Sequence, residues 1–350
     1  MATKPFDAVL LIAFGGPQGP EEIRPFLDNV LRGRQVPPAR VEEVVRHYQL
    51  FGGVSPITAL TRRQADGLRE RLRQRGLGLP VYVGMRNWHP FIADTLSEMA
   101  DEGIRRAIGF IMAAHQSYSS CGQYRQNVLD ARLEMIERGR RDIDVTYVGS
   151  WHDHAGFLKA NARHIETARD TLPSDVRAKA RLVFTAHSIP LSMAARSQYQ
   201  QQLMASARLV AQAANTHEWA LAFQSRSGRP DDPWLEPDIC DYLRAERPHG
   251  LEAVVICPIG FVADHVEVLY DLDHDAAGVC RELRLPMVRA AGVNDDPLFL
   301  DMMADLVQAT HDRYRIGRPL PVIAADAADG PERIEGPPPA RRPTTAQRLS

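Results

Sequence analysis

The chain has 350 residues, 44% of them hydrophobic and 25% charged, which is more than one typical core supports and makes two domains the expectation. Its formal net charge of −2 gives no field that would gather nucleic acid or an anionic membrane, so any anion site has to be local. No stretch reaches the roughly 18 apolar residues of a membrane span, and MATKPFDAVLLIAF lacks the basic and small-residue flanks of an export signal; a cytoplasmic chain without stable membrane association is expected.

In chain order, strand-length apolar runs alternate with amphipathic helical segments: DAVLLIAF, LPVYVGM, RAIGFIMA and DVTYVGS, then ARLVFTAH, WALAFQS, LEAVVICPIGF and LPMVRAAG. Runs that are apolar throughout predict parallel strands covered on both faces, hence an α/β fold. Four strands per half predict two similar domains, 1–150 and 151–295, followed by a last helix over 296–317. Residues 318–350 turn rich in Pro, Ala and charge and are expected to be disordered, because they bury too little apolar surface to offset ordering entropy. Cys121, Cys240, Cys257 and Cys280 show no CxxC spacing, so neither a disulfide framework nor a zinc site is predicted, and Cys257 reads as a buried thiol.

Ligands of such folds bind beyond the carboxyl ends of the strands. The segments there are FGGP (14–17), MRNWHP (85–90), HQSYSSCGQY (115–124), HSIP (187–190), QSRSGRP (224–230) and DHVE (264–267). The glycine pairs Gly15-Gly16 and Gly52-Gly53 belong to neither GxGxxG nor a P-loop, and read as tight turns that bring backbone close to a flat ligand. A GxSxG nucleophile elbow is absent, which disfavours serine hydrolysis. The Trp88 loop, QSRSGRP and DPWLEPD read as surface loops.

The last of these segments opens a predicted helix on which Glu267, Asp271 and Asp275 succeed one another at intervals of four residues. At α-helical geometry they form a row about 6 Å apart on one face, with Val266, Leu269 and Val279 turned elsewhere. Like charges so placed cost a few tenths of a kcal/mol unless a cation lies between them. Two readings stay open at this point: a solvated acidic face, or a ladder that loosely holds a divalent cation by oxygen ligands. His187 ends the run ARLVFTAH and is either structural or, with an ordinary pKa of about 6.5, a proton acceptor at neutral pH.

LLIAFGGP, FGGVSPI, YVGMRNWHP, SYSSCGQY, FTAHSIP, FQSRSGRPDDPWLEPD and PIGFVADHVEVLYDLD, in this order, resemble the ferrochelatases, and among them the bacterial coproporphyrin III group. The resemblance implies two Rossmann-like domains with a porphyrin cleft between them, and a last helix that packs back on the first domain. It implies that His187 faces the pyrrole nitrogens, that Glu267 lies across from it, and that Asp271 and Asp275 continue an acidic row on a helix with a π-turn. His187, Glu267, Asp271 and Asp275 are then the metal-handling residues, and Phe14, Arg32, Arg34, Ser55, Arg86 and Tyr124 the porphyrin-binding ones. Phe14 stands where some members place a tyrosine, which rules out axial ligation by that side chain.

A porphyrin and Fe(II) are the expected substrates, and the polar, arginine-rich segment 24–50 favours coproporphyrin III as the porphyrin. No permanently bound cofactor is expected, and no 2Fe–2S cluster, since no cysteine lies beyond Cys280. A monomer in transient contact with haem-pathway enzymes completes the expectation. The alternatives are a protoporphyrin IX ferrochelatase, a cobalt or nickel tetrapyrrole chelatase, and a noncatalytic porphyrin or haem carrier.

Overall fold

The computed structural model describes residues 5–33, 36–227 and 232–316; Arg34 and the segment 318–350 lie outside them. Strands β1 (Ala8–Ala13), β2 (Val81–Met85), β3 (Arg106–Ile111) and β4 (Asp144–Tyr147) form one sheet, and β5 (Ala180–His187), β6 (Trp219–Gln224), β7 (Ala253–Cys257) and β8 (Met287–Arg289) a second. All pairings are parallel, in the orders β2-β1-β3-β4 and β6-β5-β7-β8. Each predicted run contains one strand, and the expected α/β class with two four-stranded sheets is found.

The runs are apolar throughout because both faces of each sheet are covered. In β1, Val9, Leu11 and Ala13 join the large core that extends between the sheets. Their neighbours Ala8, Leu10 and Ile12 point the other way, onto Leu96 and Met99 of helix Ile92–Asp101 and Val128 of helix Gln123–Glu137. In β5, Leu182, Phe184 and Ala186 face the large core, whereas Val183 meets Leu243, Val268 and Leu272. Burial of a side chain such as Phe184 stabilises by roughly 1.5–3 kcal/mol.

Helix Pro297–Ile316 ties the halves together. Its Phe299, Met302, Met303 and Val307 enter the large core, and it packs on helix Ile57–Gln74 of the first half and helix Ala155–Asp170 of the second. Arg71 pairs with Asp301, and Arg75 with Asp305 at 2.7 Å, across the first of these contacts. Gln64 reaches the second half directly, donating to the carbonyls of Val262 at 3.0 Å and Asn294 at 2.7 Å.

In each sheet the chain runs outward in both directions from one strand, β1 or β5, so that each half has a topological switch point where loops diverge and leave a crevice. The segments after β1 and β3 carry Phe14 and Tyr118–Tyr124, and those after β5 and β7 carry His187 and Glu267. The acidic helix is not α-helical throughout as its spacing alone predicts; it carries the π-turn that the family resemblance implies. Tyr118–Gly122 is a π-helical turn, and the acidic helix is α only over Val266–Val268, π over Leu269–Ala276 and α again from Ala277. The i→i+5 bonding of a π segment widens each turn, and such segments concentrate at functional sites. Trp88 also departs from expectation: its ring is buried and its Nε1 donates to Glu22 Oε2 at 2.7 Å.

Candidate active site

His187 is the last residue of β5, half-buried, with its backbone pinned by a 2.9 Å hydrogen bond from Tyr199 Oη to its carbonyl oxygen. Its Nδ1 bonds the carbonyl oxygen of Ser188. A carbonyl only accepts, so Nδ1 carries the proton and Nε2 of the neutral ring is left with a lone pair. That is the tautomer a proton acceptor requires.

The loop after β7 reaches the same place because Gly260 lets it. A Cβ at Gly260 would stand 2.5 Å from Ala186 Cβ and 2.7 Å from its Cα, and the Gly260 amide donates to Thr185 at 3.0 Å. The loop therefore packs directly on the end of β5. Further along, Arg289 forks onto both oxygens of Asp273 at 2.7 and 2.9 Å and also reaches Asp264 at 3.0 Å, while Asn294 closes on Asp264 from the other side. Bidentate arginine–carboxylate pairing fixes geometry as well as charge, so the loop and the π segment are held as one piece.

Glu267 sits at the start of that piece. It is ringed by protein, yet 46% of its side chain remains accessible, as expected for a group facing an open cleft. Its carboxylate lies 3.4 Å from Nε2 of the buried His265. Burial pushes its pKa up, but the His265 hydrogen bond, together with the His187 and His265 rings in their protonated form, prevails and holds it at about 2. Asp271 behaves oppositely. Burial raises it; Ser225 and Gln224 lower it as donors, the latter at 3.1 Å, while the Glu267 charge raises it further, and it settles at about 6. Glu267, Asp271 and His187 thus sense one another's charge, which places them in one electrostatic unit.

Asp275 is about as open as Glu267, 43% accessible, and is paired with His274 Nδ1 at 2.9 Å. Asp271 and Asp275 both line a cavity of about 540 Å³ with Gln224, Ser225, Asp238 and Cys240. Among the described residues no three His, Cys, Asp or Glu side chains close on one point as a metal cage.

The first half contributes a buried apolar cluster. Phe26, Tyr48 and Trp88 pack with Phe14 at their edge, and Val266, the neighbour of Glu267, completes this cluster from the other half. The His47 ring stacks on Tyr270 of the π segment at 3.5 Å, bridging the halves a second time. Arg32 donates to Asn29 Oδ1 at 2.6 Å, and Arg86 is half-buried beside Tyr124. Ser55 and Tyr124 are buried, at 3% and 6% exposure, Ser55 against Gly16 of the FGGP turn and Tyr124 in the core under β1. The four cysteines are free, with Cys257 and Cys280 buried.

The sequence profile described as ferrochelatase matches residues 6–311. A ferrochelatase of Rhodopirellula baltica is 45% identical over 305 residues, covering 87% of this chain and 86% of that protein. A coproporphyrin III ferrochelatase of Mycolicibacterium smegmatis is 43% identical over 337 residues, 95% of this chain and 94% of its own, and one of Streptomyces coelicolor is 45% identical over 318 residues, 87% and 85%. This chain belongs to the ferrochelatase family.

Among solved structures, SirB from Bacillus subtilis with Fe3+ superposes with a TM-score of 0.54 over 87% of this chain and 96% of its own at 9% identity, a likeness of fold alone. As a ferrochelatase, this protein inserts iron into a porphyrin, and its His187, Glu267 and Asp271 meet at one end of the second sheet. The sequence left four supporting residues unread: His265 beside Glu267, Arg289 behind the π segment, and Gln224 and Ser225 on Asp271. Gln224 ends β6 and Ser225 follows it in QSRSGRP, a segment whose place at the carboxyl end of a strand marks it but which reads as a surface loop. Nothing local marks Arg289, which acts across 16 residues.

Proposed function

We propose that this ferrochelatase takes coproporphyrin III and Fe(II) and gives the iron complex and two protons, a lyase-type formation of nitrogen–metal bonds. The reading is carried by the opposed protonation of two neighbours. His187 offers a lone pair at Nε2, whereas the neighbouring His265 holds the Glu267 carboxyl below the usual carboxylate range. A carboxylate that acidic is a poor base and a good cation ligand, so His187 accepts a pyrrole proton while Glu267 draws the metal toward the vacated nitrogens.

Metallation of a flat macrocycle is slow because its lone pairs point inward. A cleft that binds a bent porphyrin would spend binding energy on geometry nearer the transition state. Phe14, the partly accessible edge of the buried Phe26–Trp88 cluster, suits the macrocycle, and Arg32, Arg34 and Arg86 suit its propionates. Tyr124 and Ser55 back that wall. Asp271 and Asp275 extend the carboxylate row behind Glu267 and form the delivery path for Fe(II), whose hard oxygen ligands bind it loosely enough to pass on.

The names of the relatives support coproporphyrin III as the substrate, and no helix among the described residues is long and apolar enough to cross a membrane, which suits a polar tetracarboxylate met in the cytoplasm by a monomer. Anaerobic mixing with Fe(II) and either coproporphyrin III or protoporphyrin IX, with absorbance as the readout, tests this. Faster metallation of coproporphyrin is expected. A preference for protoporphyrin overturns the substrate, tight binding without turnover favours a carrier, and a preference for cobalt or nickel in a metal panel overturns Fe(II).

A further inference from the structure

We propose that Gln224 and Ser225 are positioning residues for iron delivery: together they clamp one oxygen of Asp271 and leave the other free for the incoming cation. The inference rests on the carboxylate row proposed above. Both residues donate to the same atom, Oδ2, Gln224 through Nε2 at 3.1 Å and Ser225 through Oγ. Among the described residues no hydrogen bond reaches Oδ1. A carboxylate with two donors on one oxygen cannot rotate, and its second oxygen keeps a fixed direction.

Two local sacrifices converge on this clamp. Gln224 is 1% exposed and its Oε1 has no hydrogen-bond partner, an uncommon state for a buried carbonyl. Turning the amide over would set Oε1 against the Asp271 carboxylate, so the donor to Asp271 is kept at the expense of an orphaned acceptor. Ser225 holds φ at +61°, a left-handed conformation that favours glycine, and it is this bend that returns its hydroxyl toward the π segment. Strained backbone conformations of this kind cluster at active sites and ligand clamps, and here the strained residue and the orphaned acceptor are adjacent and serve the same carboxylate oxygen.

The same glutamine also belongs to the base. Gln224 stands in register with His187 on adjacent parallel strands, and its backbone carbonyl accepts the Ser188 N–H at 2.8 Å. Ser188 in turn supplies the carbonyl that fixes the His187 tautomer. One residue therefore sets the orientation of the proton acceptor through its backbone and of the iron-bearing carboxylate through its side chain. Only the second of these is removed by changing the side chain.

The test is steady-state metallation of coproporphyrin III by Fe(II) with Gln224→Leu, Ser225→Ala, Ser225→Gly and Asp271→Ala, with porphyrin affinity read separately by fluorescence quenching. Loss of a donor to a charged acceptor should raise the KM for Fe(II) by about tenfold in Gln224→Leu and in both Ser225 variants, with porphyrin affinity unchanged. Ser225→Gly relieves the backbone without restoring the hydroxyl, so recovery in that variant would overturn the clamp. If Asp271→Ala raises the KM for Fe(II) and the clamp variants do not, the clamp is overturned and the row survives. If Asp271→Ala leaves it unchanged, the row itself fails and the clamp with it. A parallel loss of porphyrin affinity in the clamp variants would show a merely structural role and overturn the proposal.

Discussion

His187 gives its Nδ1 proton to the carbonyl oxygen of Ser188, the next residue in the chain. The contact costs the site no side chain from elsewhere, and it decides which ring nitrogen is basic. Because Ser188 is itself buried and held by Gln224 and Leu235, the imidazole cannot turn over to present the wrong nitrogen.

Replacement of His187 by Ala should therefore remove the base without removing the cleft. General-base catalysis contributes about 10²–10⁴-fold, so the metallation rate is expected to fall by at least 10²-fold while porphyrin binding stays within a few-fold of wild type. A rate close to wild type in stopped-flow absorbance would take His187 out of the chemistry.

Asp271→Asn should trade function for stability. The folded-state pKa of Asp271 is raised, from an ordinary 3.8 to about 6, so the folded protein binds this proton more tightly than the unfolded chain. Stability then falls as pH rises from about 4 to 6, and the full cost, on the order of 3 kcal/mol, is present above 6. The neutral amide avoids that cost, so the variant should melt several degrees higher than wild type at pH 7.5, with the gap shrinking toward pH 4. Its KM for Fe(II) should rise. A gap in Tm that does not depend on pH would refute the assigned shift.

The three acids of the row should not matter equally. Glu267→Gln removes the charge nearest His187, and metallation should drop at least tenfold even at saturating Fe(II). Asp275→Ala, which alters a half-buried carboxylate at the far end of the row already paired with His274, should at most raise the KM for Fe(II) a few-fold. Iron titrations of both variants read this order directly; an Asp275→Ala enzyme indistinguishable from wild type would shorten the row to Glu267 and Asp271.

Gly260→Ala should act on the site through packing alone. The added methyl meets Ala186, one residue before His187, and overpacking against backbone costs about 1–3 kcal/mol. The β7 loop must then move away from β5, with loss of both stability and metallation. Gly78→Ala, where nothing lies within 4 Å, is the control and should leave both unchanged. Equal behaviour of the two variants would show that the close approach is not needed.

Much of this protein is legible from the order of its residues. Strands β1 to β8 announce themselves because a strand buried on both faces needs an uninterrupted apolar run, and His187 and Glu267 stand out among the polar residues at the carboxyl ends of β5 and β7. The acidic row is legible as a spacing of four, which survives in projection whether the turn is α or π. The π geometry is expected only through the family resemblance and not from the spacing, which is the same for either turn; in the structure Leu272 and Ala276 seat this segment in the core while Arg289 holds Asp273 from outside.

Sequence alone determined the α/β class, the family and the chemical identity of the candidate residues His187, Glu267, Asp271 and Asp275, because these depend on residue type and local period. Tertiary structure alone decided which nitrogen of His187 is basic, why Glu267 stays ionised while Asp271 resists ionisation, and which side chains hold them. Those properties come from burial and from partners distant in sequence, such as Gln224 and Ser225 on Asp271, and a carboxylate carries no mark of its future neighbours until the chain has folded around it.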